Sequence, residues 1–333
     1  MSVSVGIIGA GGIAEGIHLP CLNELPQARL TAICDHVFPK AQRIAAQFGI
    51  DRVYDNYLAM LENEKLDCVF VLVQPEQLFR ISMDCLRKGL DVFLEKPPGI
   101  TSFQARQLQA AAGDRIVQVG LNRRYIPVVQ KVVERMREVT PINRLSAKFL
   151  KFGDASFYDG CGSAFICDTI HSLDLLCWLA DSEPETASTM ISRVNSDVDT
   201  GWTSLIRFQN KMVAVLQGDY QTGGRVHDLE IHGPGASAFI NLGFGGQRCE
   251  ATLLLNQGRG SFSLSSSGVG DFSVEHYDGM ELAQSTEYHK YYGYLQEDEA
   301  FLNSVETRKK PLADIISACR TIKTAEFLLA HKI

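Results

Sequence analysis

The sequence predicts an α/β protein with two parts: an N-terminal doubly wound parallel sheet, then a C-terminal α/β part built on a large, mostly antiparallel sheet. Three observations carry this expectation. A glycine-rich turn, Gly9-Ala10-Gly11-Gly12-Ile13-Ala14, follows the apolar run Val3 to Ile8 and precedes a helical stretch. From there to Gly120, apolar runs alternate with helix-periodic segments. Beyond Gly120, most of the chain from Arg144 to Val274 consists of strand-like stretches broken by glycines.

In the first part, Val3 to Ile8, Leu30 to Cys34, Asp67 to Val73, Asp91 to Leu94 and Ile116 to Gly120 read as strands. Pro39 to Phe48, Tyr57 to Glu62, Phe79 to Lys88 and Ser102 to Ala112 read as the intervening helices. Such alternation gives a parallel sheet with both faces covered. The unbroken apolar run Val69 to Val73 fits a strand buried from both sides. Gly89 follows its helix as a C-terminal stop. In the second part, Pro127 to Glu138, Asp168 to Leu179, Tyr291 to Val305 and Leu312 to His331 read as helices. The clearest turns are Gly223-Gly224, Gly233-Pro234-Gly235, Gly243 to Gly246 and Gly258 to Gly260. The change of pattern puts the boundary near Gly120 to Arg124, giving domains over 1–121 and 122–333, with the last helix able to pack back on the first domain.

The chain has 333 residues, 45% of them hydrophobic, enough to bury a large core. A net charge of -7 and a pI near 5.7 argue against nucleic acid or an anionic membrane as partner. No apolar run reaches membrane-spanning length, and the first strand leaves no room for a secretory signal. Nine cysteines without a CxxC pair suggest reduced thiols in the cytoplasm, and no His/Cys spacing suggests a metal site.

The glycine turn is a dinucleotide-binding signature: small residues let the backbone approach a pyrophosphate and aim helix N–H groups at its charge. Asp35 closes the next strand and is placed to accept hydrogen bonds from a ribose. In a doubly wound sheet ligands bind beyond the carboxyl ends of the strands, here near Gly9, Asp35, Gln74, Glu95 and Asn122. Three further motifs lie where chemistry is expected. Glu95-Lys96-Pro97-Pro98 ends a strand, and Lys96 reads either as a donor to a substrate oxygen or as a solvated turn lysine. Asn122-Arg123-Arg124-Tyr125 offers arginines that either clamp an anionic group or form ion pairs between domains. Cys167-Asp168-Thr169-Ile170-His171 opens a helix; His171 beside Asp168 reads as an acid/base pair, or Asp168 and Thr169 read as caps.

Taken in order, the GxGxxA-type turn, Ile17-His18-Leu19-Pro20, Glu95-Lys96-Pro97, Asn122 to Pro127 and the Asp/His helix closely resemble the Gfo/Idh/MocA oxidoreductases, in particular the branch with MviM-type proteins. The resemblance implies a Rossmann domain plus an α/β domain whose open sheet pairs subunits into a homodimer or homotetramer. It also implies hydride transfer between a nicotinamide and a hydroxyl-bearing carbon of a sugar, cyclitol or derivative. Lys96 would contact the reacting hydroxyl, and His171 would take its proton with Asp168 taking part. The cofactor would lie against Gly9, Gly11, Gly12, Ile13, Asp35, His36, Gln74, Pro75, Glu95, Lys96 and Asn122. The substrate would meet Lys96, Arg123, Tyr125, Tyr158, Asp168 and His171, with Phe157 and Asp159 also in the loop bordering the site.

Two departures stand out. Where the family commonly has aspartate four residues before the histidine this chain has Cys167, with Asp168 at three; and Phe79 occupies a position that is often histidine. Asp35-His36 points to NAD, since a carboxylate there repels a 2'-phosphate, while Lys40 and Arg43 leave NADP open. A dinucleotide-binding sensor without catalysis is the competing reading, kept alive by Cys167, and an NAD-dependent glycosidase is a third.

Overall fold

A computed structural model describes residues 2–158, 160–244, 248–256 and 272–333. Asp159 and the turns read at Gly245-Gly246 and Gly258 to Gly260 lie outside the described residues. The chain forms two compact units, the first comprising Met1–Asn122, Gly160–Ile170 and Gly293–Glu326, the second Arg123–Asp159, His171–Tyr292 and Phe327–Ile333.

The first unit is built on six parallel strands: β1 (Val3–Ile8), β2 (Ala28–Cys34), β3 (Arg52–Tyr54), β4 (Cys68–Val71), β5 (Asp91–Leu94) and β6 (Val117–Val119). Their order, β3-β2-β1-β4-β5-β6, reverses direction at β1, which makes the space beyond β1 and β4 the topological switch point. Every residue of β1, β4 and β5 is buried, because helices cover both faces. A π turn (Ala14–His18) leads into α1 (Leu19–Glu24), followed by α2 (Phe38–Phe48), α3 (Tyr57–Asn63), α4 (Pro75–Arg87) and α5 (Ser102–Ala112). Helix α4 starts four residues before the sequence reading placed it, with Pro75 pre-setting φ in its first turn. Strand β3 went unread, since three residues leave no alternation to see.

The core of this unit joins Val5 and Ile7 of β1 and Phe70 of β4 to Phe93 of β5, Leu19 and Leu22 of α1, and Phe301 and Leu302 of the later helix Tyr294–Thr307. Phe70 stacks on Phe93 at 4.6 Å, and Phe301 meets Phe70 edge-on at 5.3 Å. Burying each ring contributes about 1.5–3 kcal/mol.

The second unit is built on an eight-stranded sheet: β7 (Arg144–Phe152), β8 (Pro184–Ser192), β9 (Gly201–Phe208), β10 (Val213–Asp219), β11 (Gln221–Gly233), β12 (Ala236–Leu242), β13 (Cys249–Asn256) and β14 (Phe272–Asp278). The order is β14-β13-β12-β11-β7-β10-β9-β8, antiparallel except for the β7–β10 pair. Helices α6 (Pro127–Val139), α7 (Ile170–Ala180), α8 (Gly279–Ala283) and α9 (Tyr288–Tyr291) accompany it. Strand β7 alternates strictly, with Leu145, Ala147, Phe149 and Lys151 covered while Arg144 and Phe152 are exposed. The opposite face leaves Met190, Leu205, Phe239 and Val274 exposed.

Gly233-Pro234-Gly235 makes the β11–β12 hairpin as read, with Gly235 at φ +76°. Gly223-Gly224 does not turn the chain. It lies inside β11, where the register against β7 jumps between Gln221 and Arg225, and so forms a bulge. Among the described residues no helix is long and apolar enough to cross a membrane.

Candidate functional site

Beyond β1, β2 and β4 lies a cavity of about 710 Å³ lined by Gly9, Gly11, Asp35, His36, Lys40, Tyr57, Gln74 and Arg80 among others. Gly9 sits at φ +102°, and a Cβ there would come within 2.3 Å of the Leu72 carbonyl oxygen, so no other residue fits. Gly11 and Gly12 face open space, leaving room for a phosphate to approach the backbone. Asp35 is buried and accepts hydrogen bonds from the N–H groups of Ala10 (2.8 Å) and Val37 (2.9 Å). Its carboxylate thus pins the glycine turn while facing the cavity. Lys40 approaches Asp35 at 3.9 Å, whereas Arg43 is held by both oxygens of Glu15 at 2.6 and 2.9 Å. The geometry fits a dinucleotide. Tyr57 and Arg80 had no sequence signal, because α3 and α4 reach the cavity only through the fold.

Lys96 follows β5, and its peptide to Pro97 is cis. Its ammonium donates to the main-chain carbonyl of Cys167 at 2.8 Å and stands 3.9 Å from Asp168 Oδ1. The chain around Asp168 is a π turn, Phe165–Thr169, so the helix begins before the motif and Asp168 does not cap it. The thiol of Cys167 points elsewhere, donating to the Cys161 carbonyl at 3.0 Å, and burial pushes it up to about 12. Lys96, Cys167 and Asp168 therefore come together within the first unit.

Beneath Lys96 lies a buried polar chain with no local sequence signal. Glu95 accepts the Lys96 N–H at 3.0 Å on one oxygen and the His18 ring N–H at 3.3 Å on the other. The other ring nitrogen of His18 donates to Asp298 at 2.9 Å. Burial by itself pulls the His18 imidazole down, but the two carboxylates outweigh it and hold it up at about 10. Burial likewise pushes Glu95 up, and the hydrogen bond and charge of His18 together with the charge and N–H of Lys96 more than reverse this, leaving it below the usual carboxylate range. Neighbouring Glu297, fully buried, is pushed well above that range by burial first and by Asp298 second. His18 stood out in the sequence only as part of a motif; 280 residues separate it from its partner Asp298.

In the second unit the adjacent arginines do different work. Arg124 forms a fully buried two-pronged pair with Asp174 of α7, at 2.7 and 2.5 Å. Arg123 donates to Ser172 Oγ at 2.8 Å and contacts His227 Nδ1 at 3.0 Å. Tyr125 is buried, and Tyr158 is half-buried with its ring edge-on to Phe157 at 5.1 Å. His171 is half-buried in the first turn of α7 and opens the part of that helix belonging to the second unit. Asn122 is buried at the end of the first unit. Pro75, Gly12, Ile13, Glu95, Lys96 and Asn122 are not among the residues lining the cavity.

Fold and site define an oxidoreductase-type dinucleotide-binding chain. Residues 3–122 match the model of the oxidoreductase family with an NAD-binding Rossmann fold, and residues 146–239 match the Gfo/Idh/MocA C-terminal domain. The chain belongs to the Gfo/Idh/MocA family. It is 28% identical to an inositol 2-dehydrogenase of Paracoccus denitrificans over 253 residues, covering 74% of this chain and 69% of that one. Identity to an inositol 2-dehydrogenase of Rubrobacter xylanophilus is 28% over 192 residues, spanning 55% of this chain and 54% of the relative. A crystal structure of a dehydrogenase from Chromobacterium violaceum shares the fold, with a TM-score of 0.84 at 21% identity, covering 99% of this chain and 95% of that one.

Proposed function

We propose that the chain is an NAD-dependent dehydrogenase or ketone reductase acting on a CH–OH group of a sugar, cyclitol or derivative. The observation that carries the reading is the Lys96 ammonium, held at 2.8 Å by a main-chain carbonyl with the Asp168 carboxylate beside it. NAD, when bound, supplies the acceptor or donor of the hydride. Lys96 polarises the reacting oxygen, with its remaining N–H directions available to that oxygen. Asp168 lends the site a negative charge beside the ammonium, and His171 takes the hydroxyl proton as general base. The domain over 122–333 binds the substrate and joins subunits. The exposed Met190, Leu205, Phe239 and Val274 support pairing through that sheet face into a dimer or tetramer, which sedimentation would read; a monomer overturns that part. Nine thiols, eight of them buried, support work in the reducing cytoplasm.

The test is NADH formation from NAD and a panel of cyclitols and sugars, with Lys96→Ala and His171→Ala alongside. Each variant should lose at least about 100-fold in turnover while NAD affinity stays within a few-fold. Near-normal turnover removes that residue from the mechanism. No turnover on any compound, with NAD bound normally, favours the sensor reading.

A further inference from the structure

We propose that His18 is a positioning residue for Lys96, acting through the Glu95 carboxylate to fix the main chain from which the lysine side chain springs; this rests on the dehydrogenase reading above. Lys96 is secured at two points. Its ammonium donates to the Cys167 carbonyl at 2.8 Å, and its own main-chain N–H donates to Glu95 Oε2 at 3.0 Å. A flexible four-carbon stem separates those points, so root and tip must both be anchored before the ammonium has one place.

Glu95 is in turn oriented by His18. While Oε2 accepts the Lys96 N–H, Oε1 accepts the His18 ring N–H at 3.3 Å. Gly120 lets the carboxylate lie this close to the chain, since a Cβ there would come within 3.3 Å of Oε2. Asp298 meets the other ring nitrogen with both oxygens, at 2.9 and 3.0 Å, and so orients the imidazole. Phe93 and Phe70 stand 5.1 and 5.8 Å from the ring, and Tyr294 lies edge-on at 6.2 Å. A phenyl ring would fill the same space without a desolvated charge, and a buried ion pair is weak evidence for a stabilising role. What the imidazole adds is a donor at each end, one spent on Asp298 and the other on the carboxylate beneath Lys96.

The charged and titratable groups facing His18 are Glu95 at the end of β5 and Asp298 and Glu297 on the helix Tyr294–Thr307; Lys96 faces Glu95. With the imidazole charged, Glu95 stays a carboxylate whose two oxygens both accept. With it neutral, burial favours the carboxyl form, whose proton takes up one of those oxygens. The anchor at the root of Lys96 is therefore present while His18 is protonated and is lost as pH rises through about 10.

The test is amide hydrogen exchange in NAD-loaded protein labelled with 15N-lysine, the Lys96 signal being assigned by its loss in Lys96→Arg. In His18→Asn/Asp298→Asn, which keeps net charge constant, the Lys96 N–H should exchange at least about tenfold faster. The Lys88 N–H, bonded to the Asp84 carbonyl in the same unit, should stay within about threefold of wild type. On the panel compound with the highest turnover, the double variant should lose about 10–100-fold in kcat, with KM for NAD within about threefold. Asp298→Asn, the milder change, should move the high-pH fall of kcat down by about one pH unit or more. It should also quicken Lys96 exchange by about threefold or more, which decides the matter should the double variant not fold. Unchanged Lys96 exchange, or equal quickening at Lys96 and Lys88, overturns the proposal. Loss of Lys96 protection with no turnover on any compound leaves the positioning standing and counts against the redox reading; wild-type turnover with Lys96 protection unchanged in the variants does the reverse.

Discussion

Because His18 is buried between Glu95 and Asp298, the stability of the first unit should depend on pH in a calculable way. Its imidazole is raised from 6.5 to about 10 in the folded chain. The folded protein therefore keeps a proton that the unfolded chain releases, and unfolding free energy must fall as pH rises. The contribution is fully present below about pH 6.5, and is lost as pH climbs through about 10. Its total is on the order of 5 kcal/mol, with a slope of about 1.4 kcal/mol per pH unit where the folded form is protonated and the unfolded form is not. The reference is the double variant His18→Asn/Asp298→Asn, which removes one positive and one negative charge and keeps net charge constant. Urea unfolding of both proteins at fixed ionic strength should show the stability difference shrinking by on the order of 2–3 kcal/mol between pH 7 and pH 9. A difference constant across that range, or an imidazole resonance titrating near its ordinary value, refutes a charged His18.

Two further outcomes follow from buried charge. Asp174→Asn leaves the Arg124 guanidinium buried without its counter-charge and should cost about 3–5 kcal/mol, lowering the melting temperature by on the order of 10 °C, while Arg124→Met/Asp174→Leu recovers most of it; a loss under about 1 kcal/mol for the single variant contradicts the pairing. Asp35→Ser removes the carboxylate that faces the cavity beside Lys40 and should move the NADP-to-NAD affinity ratio at least about tenfold toward NADP; an unchanged ratio in a fluorescence titration rejects Asp35 as the selector.

What the sequence made legible follows the range of the forces involved. The parallel sheet could be read because burial on both faces writes continuous apolar runs, as in Cys68–Val71 and in Val92, Phe93 and Leu94 of β5. Gly9 could be read because the turn needs φ +102° there, a local backbone conformation that glycine adopts at no steric cost. Strand β3 was missed because three residues carry no period, and Gly223-Gly224 was misread because glycine marks bulges and turns alike. The His18–Asp298 contact stayed invisible, since it depends on helix register set far away in the chain. Arg123 and Arg124 looked equivalent as neighbours, and only tertiary structure gives one of them to Asp174.

The hold on Lys96 is a main-chain oxygen presented by a π turn, and this changes what kind of mutation the site can survive. A carbonyl belongs to every residue type, so the identity of position 167 can drift from acid to thiol without taking away the lysine's acceptor. What cannot drift is chain length: the π turn exists through one extra residue in the helical ladder, and a deletion there would swing the oxygen away. The grip on the lysine is thus inherited through spacing, insulated from substitution and exposed to insertion and deletion.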